Sequence, residues 1–418
     1  MQERFEGLGF YPADILLPRD CDLKRWSVVA CDQYTAQPEY WERVDRFVGD
    51  APSALRLILP ESRLGEENVA REIESIHRRM DEYVRDDRFT ELRESMIYVE
   101  RRLENGSVRH GLVGMIDLAA YDFAPGSSAL IRATEGTVLS RIPPRMQVRQ
   151  EAGLELPHVM LLCDDPEKTV VEALGAFKPE MEQVYDFDLM EGGGHITGWK
   201  LGEPQLAMVA GALRALADPE RFQVRYHTTG RDVMLFAVGD GNHSLATAKA
   251  CMAEQRENPL ARFALVELVN LHDESLVFEP IHRVVFGVDP KAMLDALLAY
   301  YPGAYQGEGE GHRLRWLYRG QEGVVTVPDP ENQLEVGTLQ RFLDDYLSGH
   351  GGTIDYIHGE QVTRELACQD GNIGFLLPPM KKERLFPTVL FDGVLPRKTF
   401  SMGEAQDKRF YLEARRIK

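Results

Sequence analysis

The chain has 418 residues, 44% hydrophobic and 28% charged, enough for two or three domains of an ordinary globular protein that folds without covalent staples. Its cysteines, Cys21, Cys31, Cys163, Cys251 and Cys368, stand singly, which argues against a disulfide framework or a structural zinc site and for a reducing, cytoplasmic setting. A net charge of −19 disfavours nucleic acid as a partner, and with no long apolar run and no export signal in view, neither membrane insertion nor secretion is expected.

In chain order, residues 26–30 read as a short buried strand with Cys31-Asp32-Gln33-Tyr34-Thr35 at its carboxyl end, the edge where α/β folds hold ligands. Asp32 is there either a substrate or cation contact or an ordinary turn residue bonding local amides. Pro38 opens a helix, residues 54–59 read as a strand, and Val69, Ile73, Ile76 and Met80 recur at helical spacing, predicting an amphipathic helix over 66–83. Strands at 96–100 and 111–118 flank Asn105-Gly106, a hairpin turn.

The stretch 131–141 places Thr134, Glu135 and Thr137 around Gly136, with Arg132 and Arg141 on either side. Hydroxyls and a carboxylate between arginines suit a hydroxyl substrate or a phosphate, although a capped helix start explains the same residues. Pro143-Pro144 is expected to stop any helix begun here. A strand at 158–162 and a helix at 166–176 follow, then Gly192-Gly193-Gly194-His195, a glycine turn that suits either a phosphate or a hairpin end. A helix at 204–217 leads to the stretch around which the chain is organised.

That stretch is 233–250: an apolar strand-forming run, the turn Gly239-Asp240-Gly241-Asn242-His243-Ser244, and an Ala- and Leu-rich helix. Two glycines let the backbone approach a ligand, and the first amides of the new helix have no partner inside it. Such an end attracts phosphate. Asp240 and His243 stand beside it, as proton transfer or hydrated-cation binding requires. A plain helix cap uses Asp and Asn too, but has no need of two glycines, an acid and a histidine together.

Strands at 263–271 and 277–286 come next, the second setting His282 and Arg283 on opposite faces. The denser strand signals end at Gly287, so the domains are expected as 1–287 and 288–418, the latter α+β with a tail that returns toward the site. Near the end, Arg397 and Lys398 beside Thr399 offer a basic contact in an acidic protein.

These elements resemble the bacterial family called domain of unknown function 1015, whose members carry an Asp-Gly-His-His-Arg turn after a strand. Here Asp240, Gly241 and His243 match, while Asn242 and Ser244 replace the first His and the Arg. The family's His-Glu-any-Thr element corresponds to Thr134-Glu135-Gly136-Thr137, its Pro-Thr-His-Arg strand to Pro280-Ile281-His282-Arg283, and its Pro-Lys-Ser-Thr segment to Pro396-Arg397-Lys398-Thr399. The turn is shared more distantly with the ParB/sulfiredoxin-like nucleotide-binding fold, which includes free-serine kinases.

The resemblance implies an α/β protein with a mixed sheet, a ParB/sulfiredoxin-like core with insertions, and a C-terminal α+β domain. It implies ATP or ADP and Mg as cofactors, and a phosphotransferase acting on a hydroxyl of a small metabolite, free serine being one candidate. Glu135, Asp240 and His243 would be catalytic, with Asp240 holding the metal. Gly239, Gly241, Asn242, Ser244, Arg141, Arg283, Arg397 and Lys398 would contact nucleotide phosphates; either Arg283, Arg397 or Lys398 makes up for the Arg replaced by Ser244, or the nucleotide function is altered. Asp32, Thr134, Thr137 and His282 would contact substrate. A nucleotide-binding switch without transfer chemistry uses the same turn, a metal-dependent hydrolase built on Asp240, His243 and His282 is a third reading, and a homodimer is compatible with each.

Overall fold

In the computed structural model, which describes residues 2–418, the chain forms two compact units. One runs to Leu276 and resumes over Gly403–Lys418; the other is Val277–Met402. Gly287 therefore falls within the second unit, because the apolar run before it, Phe278–Phe286, is that unit's own central strand. The last sixteen residues belong to the first unit.

The first unit is built on a ten-stranded sheet. In chain order its strands are β1 (Phe10–Tyr11), β2 (Ile97–Arg102), β3 (Val108–Asp117), β4 (Tyr121–Asp122), β5 (Ile131–Ala133), β6 (Met160–Cys163), β7 (Glu182–Asp188), β8 (His195–Lys200), β9 (Phe236–Asp240) and β10 (Phe263–Asn270). Their spatial order is β7-β8-β2-β3-β10-β6-β9-β5-β4, with β1 also on β3. The sheet is mixed: β6 runs parallel to β10 and antiparallel to β9, and β9 runs parallel to β5.

Alternation along these strands supplies two cores. Ile97, Val99, Val113, Met115 and Leu265 point to one face, and Tyr98, Leu112, Ile116, Val266 and Leu268 to the other. With both faces covered the strands need no polar side, which is why they read as nearly continuous apolar runs. The helix Val69–Arg85 buries Ile73, Ile76, Met80 and Tyr83 on the first face, and the helix Glu203–Leu216 buries Leu206, Val209 and Leu213 on the second.

The C-terminal segment is threaded through the first core. Phe410–Tyr411 pairs with Val28–Val29, Arg415–Arg416 pairs with Leu154–Glu155, and the Trp26 indole donates to the Leu412 carbonyl at 3.0 Å. The second unit is a seven-stranded, wholly antiparallel sheet in which Phe278–Phe286 pairs with Thr353–His358, Asn372–Leu376 and Phe400–Met402, accompanied by the helices Pro290–Tyr300 and Glu335–His350.

Some local expectations change. Residues 26–30 contribute only the two-residue strand Val28–Val29, after the short helix Leu23–Trp26. The expected strand at 54–59 is a 3-10 turn, Ala54–Arg56, because Ser53 caps it by accepting from the Leu55 amide. The expected helix at 166–176 is the 3-10 segment Glu172–Glu180. Pro143 and Pro144 open the helix Ile142–Gln150 instead of ending one, since a fixed φ and a missing N–H suit a first turn.

Candidate functional site

Strand β9 ends at Asp240, and the helix Asn242–Glu254 begins two residues later. Gly241 makes that turn with φ of +83°, and a Cβ there would sit 2.9 Å from Val159 Cγ2, so glycine is required on two grounds. No side chain caps the helix. Asn242, the residue type of a cap, is used otherwise: its Oδ1 accepts from the Thr134 amide and its Nδ2 donates to Thr134 Oγ1, both at 3.2 Å. Thr134 Oγ1 in turn donates to the Val238 carbonyl at 2.6 Å. These bonds pin the Thr134-Glu135 turn to the start of the helix, and the first helical amides are left without a side-chain cap.

A cation from the far end of the sequence meets this turn. Lys408 Nζ lies 3.3 Å from Asp240 Oδ2, with side chains only 13% and 19% exposed. Asp32 is half-buried and accepts from Gln33 Nε2 at 3.0 Å. Burial alone would raise its pKa, but His158, Gln33 and Lys408 outweigh that and hold the carboxyl below its ordinary value. Lys408 thus pairs with Asp240 and also attracts the Asp32 charge. His158 shares hydrogen bonds with the Tyr411 hydroxyl at 2.7 Å and with Ser244 Oγ at 3.1 Å, and Tyr411 also accepts from the Cys31 amide.

His243 Nε2 accepts from the Val138 amide at 3.3 Å. Burial, reinforced by Arg141 and Arg145, pushes its pKa down, so the imidazole is neutral with its proton on Nδ1. Arg145 is paired with Glu61, while Arg141 is exposed. The Thr137 hydroxyl oxygen is enclosed yet makes no hydrogen bond within the protein, and such a group ordinarily has a partner. Glu135, half-buried, follows the pinned Thr134 directly.

The structure therefore gathers Asp32, Thr134, Asp240, Gly241, Asn242, His243 and Ser244 about one helix start. His282, Arg283, Arg397 and Lys398 belong to the second unit. Arg283 is fully buried there and donates to Gln340 Oε1 and to the carbonyls of Ile281, Arg397 and Lys398, so its guanidinium is occupied. Burial lowers its pKa to about 10. His282 Nδ1 accepts from the Leu377 amide, and Arg397 is paired with Asp344 at 2.5 Å. Within its own unit, the turn before the helix has Lys408. Sequence reasoning missed it, together with His158, Tyr411 and Arg145; the only signal was a basic pair, Lys408-Arg409, ahead of the apolar Phe410-Tyr411-Leu412.

Among the described residues no group of three His, Cys, Asp or Glu side chains is placed to hold a metal ion, and no helix is long and apolar enough to cross a membrane.

A mixed α/β sheet carries this helix start, with Asp240 and a half-buried lysine beside it, so the first unit is an α/β fold. The chain belongs to the family described as "Protein of unknown function (DUF1015)", whose model matches residues 15–346. No curated protein matches. Among solved structures, a free serine kinase variant in complex with ADP aligns with 11% identity and a TM-score of 0.40, covering 75% of this chain and 94% of its own. A conserved hypothetical protein from Pyrococcus furiosus aligns with 12% identity and a TM-score of 0.36, covering 73% and 94%. A C-terminally truncated SbnI from Staphylococcus aureus aligns with 9% identity and a TM-score of 0.38, covering 70% and 82%.

Proposed function

We propose that the first unit seats a nucleotide phosphate at the start of the helix Asn242–Glu254 and transfers a phosphoryl group to a hydroxyl of a small metabolite, on a core of ParB/sulfiredoxin-like plan. One observation carries this reading: a helix start that no side chain caps, reached through a glycine at φ +83°, with the Lys408 ammonium beside it. Phosphoryl transfer asks a protein for positioning and charge neutralisation more than for covalent chemistry.

In this reading the uncapped amides of Asn242, His243 and Ser244 receive donor phosphate oxygens, and Lys408 neutralises their charge. Asp32, held ionised, orients the acceptor hydroxyl, and Thr137 gives its unpartnered hydroxyl to the same substrate. Glu135 accepts the hydroxyl proton, at the turn that Asn242 fixes against the helix. His243, neutral, serves through its Nδ1–H as a donor toward phosphate and not as an acid at physiological pH. Asp240, whose Oδ1 accepts from the Gly241 amide and whose Oδ2 faces Lys408, would hold magnesium as one carboxylate ligand, with phosphate and water completing the shell. When bound, the metal would neutralise charge on the donor phosphates.

Titration calorimetry with ATP, ADP and CTP, followed by phosphorus NMR of mixtures with serine and other hydroxylated metabolites in magnesium, tests the proposal. Nucleotide binding with formation of a phosphorylated metabolite is expected. Binding without any product would make the protein a switch, and no binding of any nucleotide would remove both readings. The hydrolase reading has little support, because His243 and His282 each already accept a backbone N–H through one ring nitrogen.

A further inference from the structure

Behind the helix start lies a cavity of about 170 Å³. Its walls are largely aliphatic, including Leu57, Leu59, Leu64, Met80, Val148 and Leu265, and its polar lining is supplied mainly by His158, Ser244, Tyr411 and the Glu61–Arg145 and Arg149–Glu155 ion pairs. The cavity is partly open to the surface, and an apolar space of about 150 Å³ is large enough to admit benzene. Small-molecule sites take this form, mostly apolar with a few convergent polar groups. Cys31, also in the wall, adds no charge, since burial pushes its thiol up to about 12.

We infer that this cavity receives the apolar body of the acceptor, so that the metabolite is a hydroxy compound carrying an aliphatic group of about six carbons and not a fully polar one such as serine. The inference rests on the proposed transfer reaction for its choice of an acceptor. Ser244 belongs both to the cavity wall and to the helix start, and His158 in the same wall hydrogen-bonds to it and acts on Asp32, so a hydroxyl on the apolar body would emerge beside Asp32 and the phosphate seat. A purine is a poorer occupant: Tyr411 and His158 are the only aromatic rings in the wall, and they are hydrogen-bonded to each other.

The test uses the full chain and a series of straight-chain 1-alkanols from propanol to octanol, followed by ligand-observed NMR and thermal shift, with ADP binding measured separately. Affinity is expected to rise about fourfold per added methylene up to roughly six carbons and then to level off. Ala248→Leu and, independently, Ala152→Leu, both filling the cavity, should each weaken hexanol at least tenfold while leaving ADP binding unchanged. No dependence on chain length, or a dependence that either folded variant leaves intact, overturns the inference. Failure of ADP to bind while the alkanol series behaves as expected would overturn the nucleotide reading and leave the cavity's preference standing.

Discussion

Three residues at the helix start make predictions of their own. Removing the Lys408 ammonium with Lys408→Ala should cost about 2 kcal/mol of ADP binding, roughly thirtyfold in Kd by calorimetry, with partial recovery in Lys408→Arg. Gly241→Ala forces a side chain into a left-handed conformation and against Val159, and should lower unfolding stability by about 2 kcal/mol in a denaturant titration. His243 gives the pH dependence. Its folded pKa lies below the unfolded value of about 6.5, so the unfolded chain takes up the proton first as pH falls. Its contribution is complete above that value and is lost as pH drops from there toward the folded pKa. The difference in Tm between wild type and His243→Gln should therefore change across that acidic window and be flat above it. The Asp240 turn, with its paired glycines, was legible in the sequence because its residues are neighbours. Lys408 and Tyr411 were not, because they are brought there by strand pairing between the two ends of the unit, and His158 was not, because it comes from just ahead of β6, the strand beside β9.

At the scale of elements, the segment before the last strands is held by buried arginines. Arg101 on β2 donates to the carbonyls of Gly193, Gln406, Asp407 and Lys408, and Arg109 on β3 donates to the Asp407 carbonyl. These bonds fix the backbone that carries the Lys408 side chain to Asp240. Arg101→Met leaves several buried carbonyls without donors and should destabilise the protein by about 3 kcal/mol. In the fraction that remains folded, ADP binding should weaken because residue 101 bonds the Lys408 backbone and not its ammonium group, and calorimetry beside a thermal melt separates the two effects. Amphipathic spacing located the helix Val69–Arg85, and Asn105-Gly106 located the β2–β3 hairpin. Short 3-10 segments such as Ala54–Arg56 lack enough turns to display a period, and so they read as strand.

At the scale of the whole molecule, the second unit is an insertion in the first. Deleting residues 403–418 removes Phe410, Tyr411, Leu412 and Ala414 from the first core along with Lys408. Near-ultraviolet circular dichroism of that truncation should show lost tertiary packing, and calorimetry should show no nucleotide binding. This discontinuity also governs the order of events during synthesis. The first 276 residues leave the ribosome with an open groove where the final strands belong, and the inserted unit is complete before its host can close. A chaperone that guards exposed apolar surface would have its longest engagement with the part of the chain made first, and a stop codon just after residue 402 would release a molecule with a finished insert and an unfinished seat.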